Sequence, residues 1–219
     1  ALEAAKKKIK TALIERDMNR FGGVCLNEGC IPLKGLLYHS HHEKDYVKIR
    51  DLVMRKISGI KSGLLSRVKA LGVEIIEGEA KFVSRSEIEV KGERITAKNI
   101  IIAAGSVPKK LFGENVYTSE KAFELSAAPQ KVLIIGGGVI GCDYASFFSN
   151  IGCAVTVAEA MDSLIPGEDE EVSRTLAREF KKKKINVQTG VKAVINGSEA
   201  EINGTKEKFD VIFEATGRK

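Results

Sequence analysis

Residues 22–34 read Gly-Gly-Val-Cys-Leu-Asn-Glu-Gly-Cys-Ile-Pro-Leu-Lys and place Cys25 and Cys30 five positions apart. In a regular helix, residues at this spacing lie about 7.5 Å apart along the axis and point to different sides. A disulfide needs Cα atoms within about 7 Å, so a bond here requires an irregular turn, which the flanking glycines allow. Because the bond closes a small loop, it adds little chain-entropy stabilisation. The pattern therefore favours a redox-active dithiol over a structural cross-link.

The same spacing has two other interpretations. The cysteines could be ordinary buried or free residues, or they could form half of a metal site. A tetrahedral zinc site usually needs paired short spacings of cysteine or histidine, and the chain has no C-x-x-C motif. From the spacing alone, a redox pair and two ordinary cysteines both stay open.

The longer pattern Gly-Gly-x-Cys-Leu-Asn-x-Gly-Cys-Ile-Pro-x-Lys resembles the active-site signature of the pyridine nucleotide–disulfide oxidoreductases, flavoenzymes that use FAD. The Leu-Asn and Ile-Pro choices are most similar to dihydrolipoamide dehydrogenase. Glu28 and Leu33 depart from the pattern, since the family more often has a small apolar residue and a serine there. The resemblance covers essentially the whole chain.

The resemblance also assigns roles within this segment. It implies that Cys25 is the interchange thiol, which forms a mixed disulfide with the substrate. It implies that Cys30 is the charge-transfer thiol facing the flavin, with Gly22 and Gly23 beside the FAD site. Lys34 would point towards the flavin, where a fixed cation favours the reduced, anionic ring.

Length and composition are those of a globular protein. The chain has 219 residues, of which 43% are hydrophobic and 29% charged, with a net charge of +6. No run approaches the roughly 18 apolar residues of a membrane span. Four cysteines without a disulfide-framework spacing indicate a reducing compartment, so we expect a cytoplasmic location. The scattered basic residues and few aromatics argue against nucleic acid as a partner.

The chain opens inside a dinucleotide-binding pattern. Residues 1–10 read as the end of a helix, and residues 11–15 read as a short strand that ends in an acid, Glu15. An acid at this position receives ribose hydroxyls in dinucleotide-binding units, and the resemblance assigns Glu15 to the adenosine ribose of FAD. The G-x-G-x-x-G turn expected before the first helix lies ahead of the sequence. We therefore expect the chain to be part of a longer protein.

The middle of the chain predicts a long helix and then short strands. Apolar residues recur at three-to-four spacing over residues 47–71, which indicates an amphipathic helix. Short strands at Val73–Ile76, Ala80–Val83 and Glu87–Val90 predict an antiparallel meander. A buried strand at Ile100–Ala103 should follow. The next two residues, Ala104 and Gly105, resemble the family's Ala-Thr-Gly-Ser turn beside the flavin, with alanine in place of threonine.

A second dinucleotide-binding pattern begins at residue 131. Residues 131–135 form a continuous apolar run, as expected of a buried parallel strand. Gly136, Gly138 and Gly141 then fill G-x-G-x-x-G ahead of a predicted helix that ends near Asn150. A second strand ends at Glu159, 18 residues beyond the last glycine. This context is what the dinucleotide fingerprint requires.

Each residue of this fingerprint has a physical role. Gly136 permits the tight turn, Gly138 lets backbone N–H groups approach the pyrophosphate, and Gly141 lets the helix lie close to the strand. Glu159 should accept the adenosine ribose hydroxyls, and since no arginine or lysine follows it closely, the site should prefer NAD to NADP. We also place Ile140, beside the glycines, among the NAD-binding residues.

Two further positions are assigned to the cofactor sites by resemblance. Asp143 stands where the family commonly has a glutamate near the junction of nicotinamide and flavin, and its shorter side chain reaches less far. Gly217 lies in the Ala-Thr-Gly-Arg segment that resembles the family's exit from the nicotinamide domain.

The last part of the chain predicts one helix and several short strands. Acids crowd the start of residues 168–184 and lysines crowd their end, which matches a helix dipole at both ends. The lysine run is thus better explained as a helix terminus than as a nucleic-acid patch. Asn196-Gly197 and Asn203-Gly204 predict hairpin turns, and residues 210–214 predict a final buried strand.

These observations predict an α/β fold. A partial FAD-binding Rossmann-like domain should occupy residues 1–108 and a NAD-binding Rossmann-like domain residues 109–219, each with a small antiparallel β-meander. The predicted function is a flavin-dependent disulfide oxidoreductase that moves electrons between NAD(H), FAD and the Cys25–Cys30 dithiol, most like dihydrolipoamide dehydrogenase. The resemblance implies a small-molecule or lipoyl-domain disulfide substrate, a homodimer in the full-length protein, and a C-terminal interface domain with a His–Glu pair beyond the sequence. The predicted function needs no metal.

Two alternatives stay open. The first is a non-catalytic NAD-binding fragment, because the FAD phosphate loop and the His–Glu pair lie outside the sequence. The second is a glutathione or mercuric reductase of the same family.

Mild oxidation with a small-molecule disulfide should join Cys25 to Cys30, because one thiolate forms a mixed disulfide with the reagent and the other then displaces the reduced reagent thiol. Mass spectrometry of a proteolytic digest should then show the two cysteines in one cross-linked peptide. Cys142 and Cys153 serve as internal controls and should stay unlinked. Finding Cys25 and Cys30 both as free thiols after oxidation would contradict the redox assignment.

Overall fold

The structure, a computed structural model, describes residues 1–113 and 116–219. It divides into two compact units, each made of two chain segments. Unit 1 consists of Ala1–Asn27 and Arg55–Gly105, and unit 2 of Glu28–Met54 and Ser106–Lys219. The domain boundary predicted at residue 108 stays a prediction.

Six helices and twelve strands are found in the described residues. The helices are α1 (Leu2–Lys6), α2 (Gly23–Asn27), α3 (Cys30–His39), α4 (Tyr46–Ala70), α5 (Val139–Asn150) and α6 (Glu170–Lys182), with a short 3-10 turn at Met18–Arg20. The strands are β1 (Ala12–Glu15), β2 (Glu74–Glu77), β3 (Ala80–Phe82), β4 (Glu87–Val90), β5 (Glu93–Thr96), β6 (Lys131–Ile135), β7 (Ala154–Ala158), β8 (Asn186–Gln188), β9 (Ala193–Asn196), β10 (Glu199–Ile202), β11 (Thr205–Lys208) and β12 (Val211–Glu214).

Unit 1 contains two small sheets. Strand β1 pairs in parallel with β2, and β3, β4 and β5 form an antiparallel meander. Its small core is built around Phe21, Val68 and Val73, with α4 contributing the second of these. The predicted meander is therefore present, but the strand predicted at Val73–Ile76 belongs to the parallel pair instead.

Unit 2 is organised by a four-stranded parallel sheet of order β12-β6-β7-β8. The central strand β6 has Val132, Leu133 and Ile134 at 0% exposure, because parallel strands are covered on both faces. Helix α5 packs against β6 and β7 and buries Phe147 and Phe148.

An antiparallel sheet of order β11-β10-β9 adds to unit 2. Its two tight turns lie at the predicted Asn-Gly pairs, and Gly197, Asn203 and Gly204 have φ values of 62°, 51° and 74°. Glycine and asparagine adopt this left-handed region more readily than other residues. The sheet shares a core with the parallel sheet that includes Leu133, Ala200 and other buried residues.

The predicted helix at residues 168–184 is α6. Asp169 caps it by accepting a hydrogen bond from the backbone N–H of Glu171 at 2.8 Å. Acids occupy its first turn, and Lys181 and Lys182 its last. The lysine run therefore lies at the negative end of a helix dipole, where cations are stabilised.

The strand predicted at Ile100–Ala103 is wrong. Residues 98–107 form no strand, and Ile101 and Ile102 are 88% and 74% exposed. A strand acquires its backbone hydrogen bonds from a neighbour. Within the described residues no strand pairs with this stretch. Its apolar sequence alone is therefore insufficient to form a strand.

Among residues 1–113 and 116–219, no helix combines the length and apolar character that crossing a membrane requires.

Replacing Ile134 with alanine should lower the free energy of unfolding by about 2–5 kcal/mol, because the cavity in the middle of β6 cannot collapse. Urea denaturation followed by circular dichroism measures this change. The control is Val194→Ala, since Val194 is 66% exposed and should change the same quantity by less than about 0.5 kcal/mol. Equal effects of the two substitutions would contradict the assigned core.

Candidate active site

Cys25 lies within α2 and is exposed. The chain enters this short helix through Gly22 and Gly23, which have φ values of 95° and 77°. A Cβ on Gly22 would lie 2.4 Å from Cδ2 of Leu26, a buried residue of the same helix. Glycine is therefore favoured at position 22 by its left-handed backbone conformation, and a side chain there would also displace the Leu26 methyl group.

Asn27 holds the entry to this helix in place. Its side-chain Nδ2 donates to the backbone carbonyls of Arg20 at 2.9 Å, Phe21 at 3.2 Å and Gly23 at 2.8 Å. These bonds stabilise the turn that precedes Cys25. The sequence motif contains Asn27 but does not indicate a role for it. The contacts of the Asn27 side chain explain why an amide suits that position.

Cys30 is the first residue of α3 and is also exposed. Gly29 precedes it as the helix N-cap, and the Gly29 carbonyl accepts from the backbone N–H of Leu33 at 3.1 Å. The first residues of a helix lie at the positive end of its dipole. Position 30 is thus suited to a sulfur that carries negative charge.

Helix α3 is joined to α5 by an ion pair near the start of both helices. Lys34 Nζ lies 2.5 Å from Asp143 Oδ2, with the two side chains 59% and 18% exposed. Pairs this exposed usually contribute about 0–1 kcal/mol to stability. The contact therefore serves mainly to orient Lys34. The shorter acid at position 143 does reach the lysine.

The far ends of the same two helices are also joined. Asn150, the last residue of α5, donates from Nδ2 to Ser40 Oγ at 3.0 Å. Its backbone carbonyl accepts from Lys44 Nζ at 2.6 Å, and the same ammonium donates to the Ser40 carbonyl at 2.8 Å. Both helix C-termini thus share one cation, which favours their adjacent placement.

These contacts show that α3 and α5 run parallel. Lys34 to Ser40 spans about 9 Å of helix axis, and Asp143 to Asn150 about 10.5 Å. Since the first pair is joined at one end and the second at the other, both N-termini lie at the same end of the helix pair. Cys30 is therefore presented on the same side as the glycine turn that opens α5.

The glycine turn between β6 and α5 is tightly packed at two of its three motif positions. Gly136 has φ 103°, and a Cβ on it would lie 2.6 Å from the Ala215 carbonyl oxygen. A Cβ on Gly141 would lie 1.9 Å from the Gly136 carbonyl oxygen. Gly138 is the N-cap of α5, and a Cβ there would meet nothing within 4 Å. The first two positions exclude a side chain, and the third leaves open space at the helix N-terminus.

Glu159 lies just beyond β7 and is 7% exposed. Its Oε2 accepts from the backbone N–H of Gly137 at 2.5 Å, and its Oε1 accepts from the N–H of Met161 at 2.7 Å. A Cβ on Gly137 would lie 2.7 Å from Leu164 Cδ2. Gly137 was not among the predicted site residues, although the run of three glycines was a signal for it.

The remaining predicted residues of unit 2 lie around this turn. Ile140 is half-buried in the first turn of α5. Gly217 has φ 113° and follows β12, the strand beside β6. Lys109 Nζ lies 3.4 Å from where a Cβ on Gly217 would be.

Unit 1 holds the other predicted cofactor residues. Glu15 ends β1 and is half-buried, and its Oε1 accepts from the backbone N–H of Asp17 at 3.2 Å. Ala104 and Gly105 are exposed, and Gly105 has φ 77°. A Cβ on Gly105 would lie 3.5 Å from Val24 Cγ2, so the segments before Cys25 and after residue 104 are neighbours.

The other two cysteines are unsuited to thiol chemistry. Burial raises the pKa of the Cys142 thiol to about 12 and that of the Cys153 thiol to about 11. Both are therefore protonated near neutral pH. Over residues 1–113 and 116–219, no group of three or more His, Cys, Asp or Glu side chains is arranged to hold a metal ion.

Known proteins share this fold and sequence pattern. The chain is 34% identical over 250 residues to a dihydrolipoyl dehydrogenase of Chlamydia pneumoniae. This alignment covers 100% of the chain and 53% of the relative. A dihydrolipoyl dehydrogenase of Thermus scotoductus is 35% identical over 254 residues, at 100% and 54% coverage. The Cu(II) complex of the HOCl-induced flavoprotein disulfide reductase RclA from Escherichia coli has the same fold, with a TM-score of 0.86 at 24% identity, and is matched over 100% of this chain and 53% of that one.

The chain thus spans about half the length of the curated relatives it matches. These likenesses confirm the predicted α/β fold class. The sequence pattern of the pyridine nucleotide-disulphide oxidoreductases matches residues 1–219. The chain therefore belongs to the pyridine nucleotide-disulphide oxidoreductase family.

Proposed function

We propose that this chain carries the dithiol and the nicotinamide site of a flavin-dependent disulfide oxidoreductase of the dihydrolipoyl dehydrogenase type. The observation that supports this most is the parallel packing of α3 on α5. It puts Cys30 and the glycine turn at the same end of unit 2. The two dihydrolipoyl dehydrogenases to which the chain is similar are named for this activity.

NAD fits the residues of unit 2. Gly136 and Gly141 occupy positions that a Cβ would fill, and Gly138 opens the N-terminus of α5. Such a turn lets backbone N–H groups approach a pyrophosphate. Glu159 is fixed by two backbone donors at the end of β7, where an acid accepts ribose hydroxyls and disfavours a 2′-phosphate.

FAD fits the residues of unit 1 at the ribose end. Glu15 stands at the carboxyl end of β1 and suits ribose hydroxyls. Gly22, Gly23 and Gly105 have positive φ values, which glycine adopts without strain, and they present no side chain to a ligand. Ala104 completes the residues of unit 1 that we assign to the flavin, and Lys34 belongs to unit 2. When both cofactors are bound, FAD would accept the electron pair from the reduced Cys25 and Cys30, and NAD would accept it as a hydride.

The cysteines exchange with the substrate as follows. In the oxidised chain Cys25 and Cys30 are joined, and a substrate thiolate attacks the sulfur of Cys25. Cys30 leaves as a thiolate, which the N-terminus of α3 stabilises. The second substrate thiol attacks the mixed disulfide at the substrate sulfur and releases Cys25. The substrate becomes a disulfide, and the two cysteines hold the electron pair.

The substrate class that suits this chemistry is a small-molecule or lipoyl-domain dithiol and its disulfide. A homodimer fits the full-length protein, and the four cysteines, which lack a disulfide-framework spacing, fit a cytoplasmic location. Glutathione and mercuric reductases share the same dithiol chemistry. Parallel assays of lipoamide, glutathione disulfide and mercuric ion on the full-length protein separate these substrates.

A second function has its own supporting observation. Unit 2 has a continuous parallel sheet and a formed glycine turn, whereas Ile101 and Ile102 of unit 1 are exposed and unpaired with any described strand. This contrast favours NAD binding over flavin binding for the 219-residue chain by itself. The chain would then be a NAD-binding module.

The two functions are separated by mixing the purified chain with FAD, removing unbound flavin and recording the visible spectrum. The oxidoreductase function predicts bound flavin, after which NADH should convert the pre-oxidised Cys25–Cys30 pair to two thiols. Cys25→Ser and Cys30→Ser should abolish this reduction, while Cys153→Ser should not. NADH binding without flavin would support the module, and binding of neither would contradict both functions.

Alanine substitutions at the open position, Gly138, and at the closed position, Gly141, should have different effects on stability and NADH binding. Gly141→Ala should unfold or destabilise the chain, because its Cβ collides with the Gly136 carbonyl oxygen. Gly138→Ala should keep the thermal midpoint within a few degrees but weaken NADH binding about tenfold, because the methyl group occupies the space of the pyrophosphate. Thermal melts and NADH fluorescence titrations measure the two effects. NADH binding unchanged by Gly138→Ala would contradict the assigned pyrophosphate position.

A further inference from the structure

Glu214 is a buried carboxylate that the proposed chemistry does not use. It is the last residue of β12 and is 4% exposed. In the sheet it is opposite Ile135, the residue that precedes the glycine turn at Gly136. Its side chain therefore lies at the same edge of the sheet as the proposed dinucleotide site.

Among the described residues, three groups donate to this carboxylate. Oε1 accepts from the backbone N–H of Leu111 at 2.9 Å and from Thr216 Oγ1 at 2.5 Å, and Oε2 accepts from the N–H of Phe112 at 3.4 Å. Burying a carboxylate is costly unless such donors replace water. One buried side chain therefore holds two separate segments of the chain through hydrogen bonds.

The two segments are the one that precedes Gly113 and the one that follows β12. Val107 and Lys219 exchange both backbone hydrogen bonds at 2.9 Å, and the N–H of Lys109 donates to the Gly217 carbonyl at 3.2 Å. Lys110 has a left-handed φ of 56°, which a lysine adopts only when its surroundings hold it. Glu214 accepts hydrogen bonds from both of these paired segments.

The order of the strands in the sheet predicts which part of the ligand lies over these residues. The order is β12-β6-β7-β8. Glu159, the proposed ribose acceptor, lies beyond β7, and the glycine turn lies beyond β6. A dinucleotide that runs from β7 across β6 continues over β12. The nicotinamide half of such a ligand would then lie over Ala215, Thr216 and Gly217.

We propose that Glu214 is a positioning residue for the nicotinamide half of the dinucleotide. Through Thr216 it holds the turn after β12 against the Gly136 backbone, and through Leu111 and Phe112 it ties that turn to the preceding loop. This inference rests on the proposed function, because it assumes a nicotinamide dinucleotide at the glycine turn.

The test compares NADH with ADP-ribose, which lacks only the nicotinamide, on the 219-residue chain. In Glu214→Gln the amide NH₂ faces N–H donors, so the turn after β12 should shift. We expect NADH binding to weaken about tenfold and ADP-ribose binding to stay within about twofold. Fluorescence titration measures the first affinity and calorimetry the second. The matched control is Glu207→Gln, which removes the same charge from a surface ion pair with Lys131.

A second pair of variants covers the case in which Glu214→Gln does not fold. Thr216→Val removes the hydroxyl donor and should show the same selective loss, while Thr216→Ser should retain NADH affinity. Equal weakening of both ligands, or no change in either, would overturn the positioning role and leave the proposed function standing. If the unsubstituted chain binds neither ligand, the proposed function itself fails and this inference fails with it.

Discussion

The contact between the first turn of α5 and the Gly136 carbonyl is the constraint on which unit 2 depends. A Cβ on Gly141 would lie 1.9 Å from that oxygen, so the helix can approach the strand only because position 141 has no side chain. This approach places the N-terminus of α5 directly beyond β6. The residues after β7 and β12 then surround the same edge of the sheet, where doubly wound folds bind their ligands.

Helix α3 extends this arrangement to Cys30. Lys34 and Asp143 join it to α5 at one end, while Ser40, Lys44 and Asn150 join it at the other. No single contact is strong, since exposed pairs of this kind contribute little to stability. Two contacts at opposite ends nevertheless define the direction of one helix on another. Cys30 is thereby oriented by contacts that lie about one to three helical turns further along α3.

The buried acids at the sheet edge also fix the position of neighbouring segments. Glu159 accepts from Gly137 and Met161, and Glu214 accepts from Leu111, Phe112 and Thr216. In each case a carboxylate replaces lost water with backbone or hydroxyl donors from a neighbouring loop. The loops around the proposed ligand are thus held by side chains that start from the ends of β-strands.

The sequence by itself determined the elements whose signals are local. The glycine fingerprint, the apolar run of β6, the charged ends of α6 and the two Asn-Gly turns each specify their own backbone within a few residues, and all are present. Only the tertiary structure decided the direction of α3 on α5, the donors to Glu159 and Glu214, and the failure of residues 100–103 to form a strand. These depend on groups far apart in the chain, and an apolar segment becomes a strand only where a neighbouring strand accepts its hydrogen bonds.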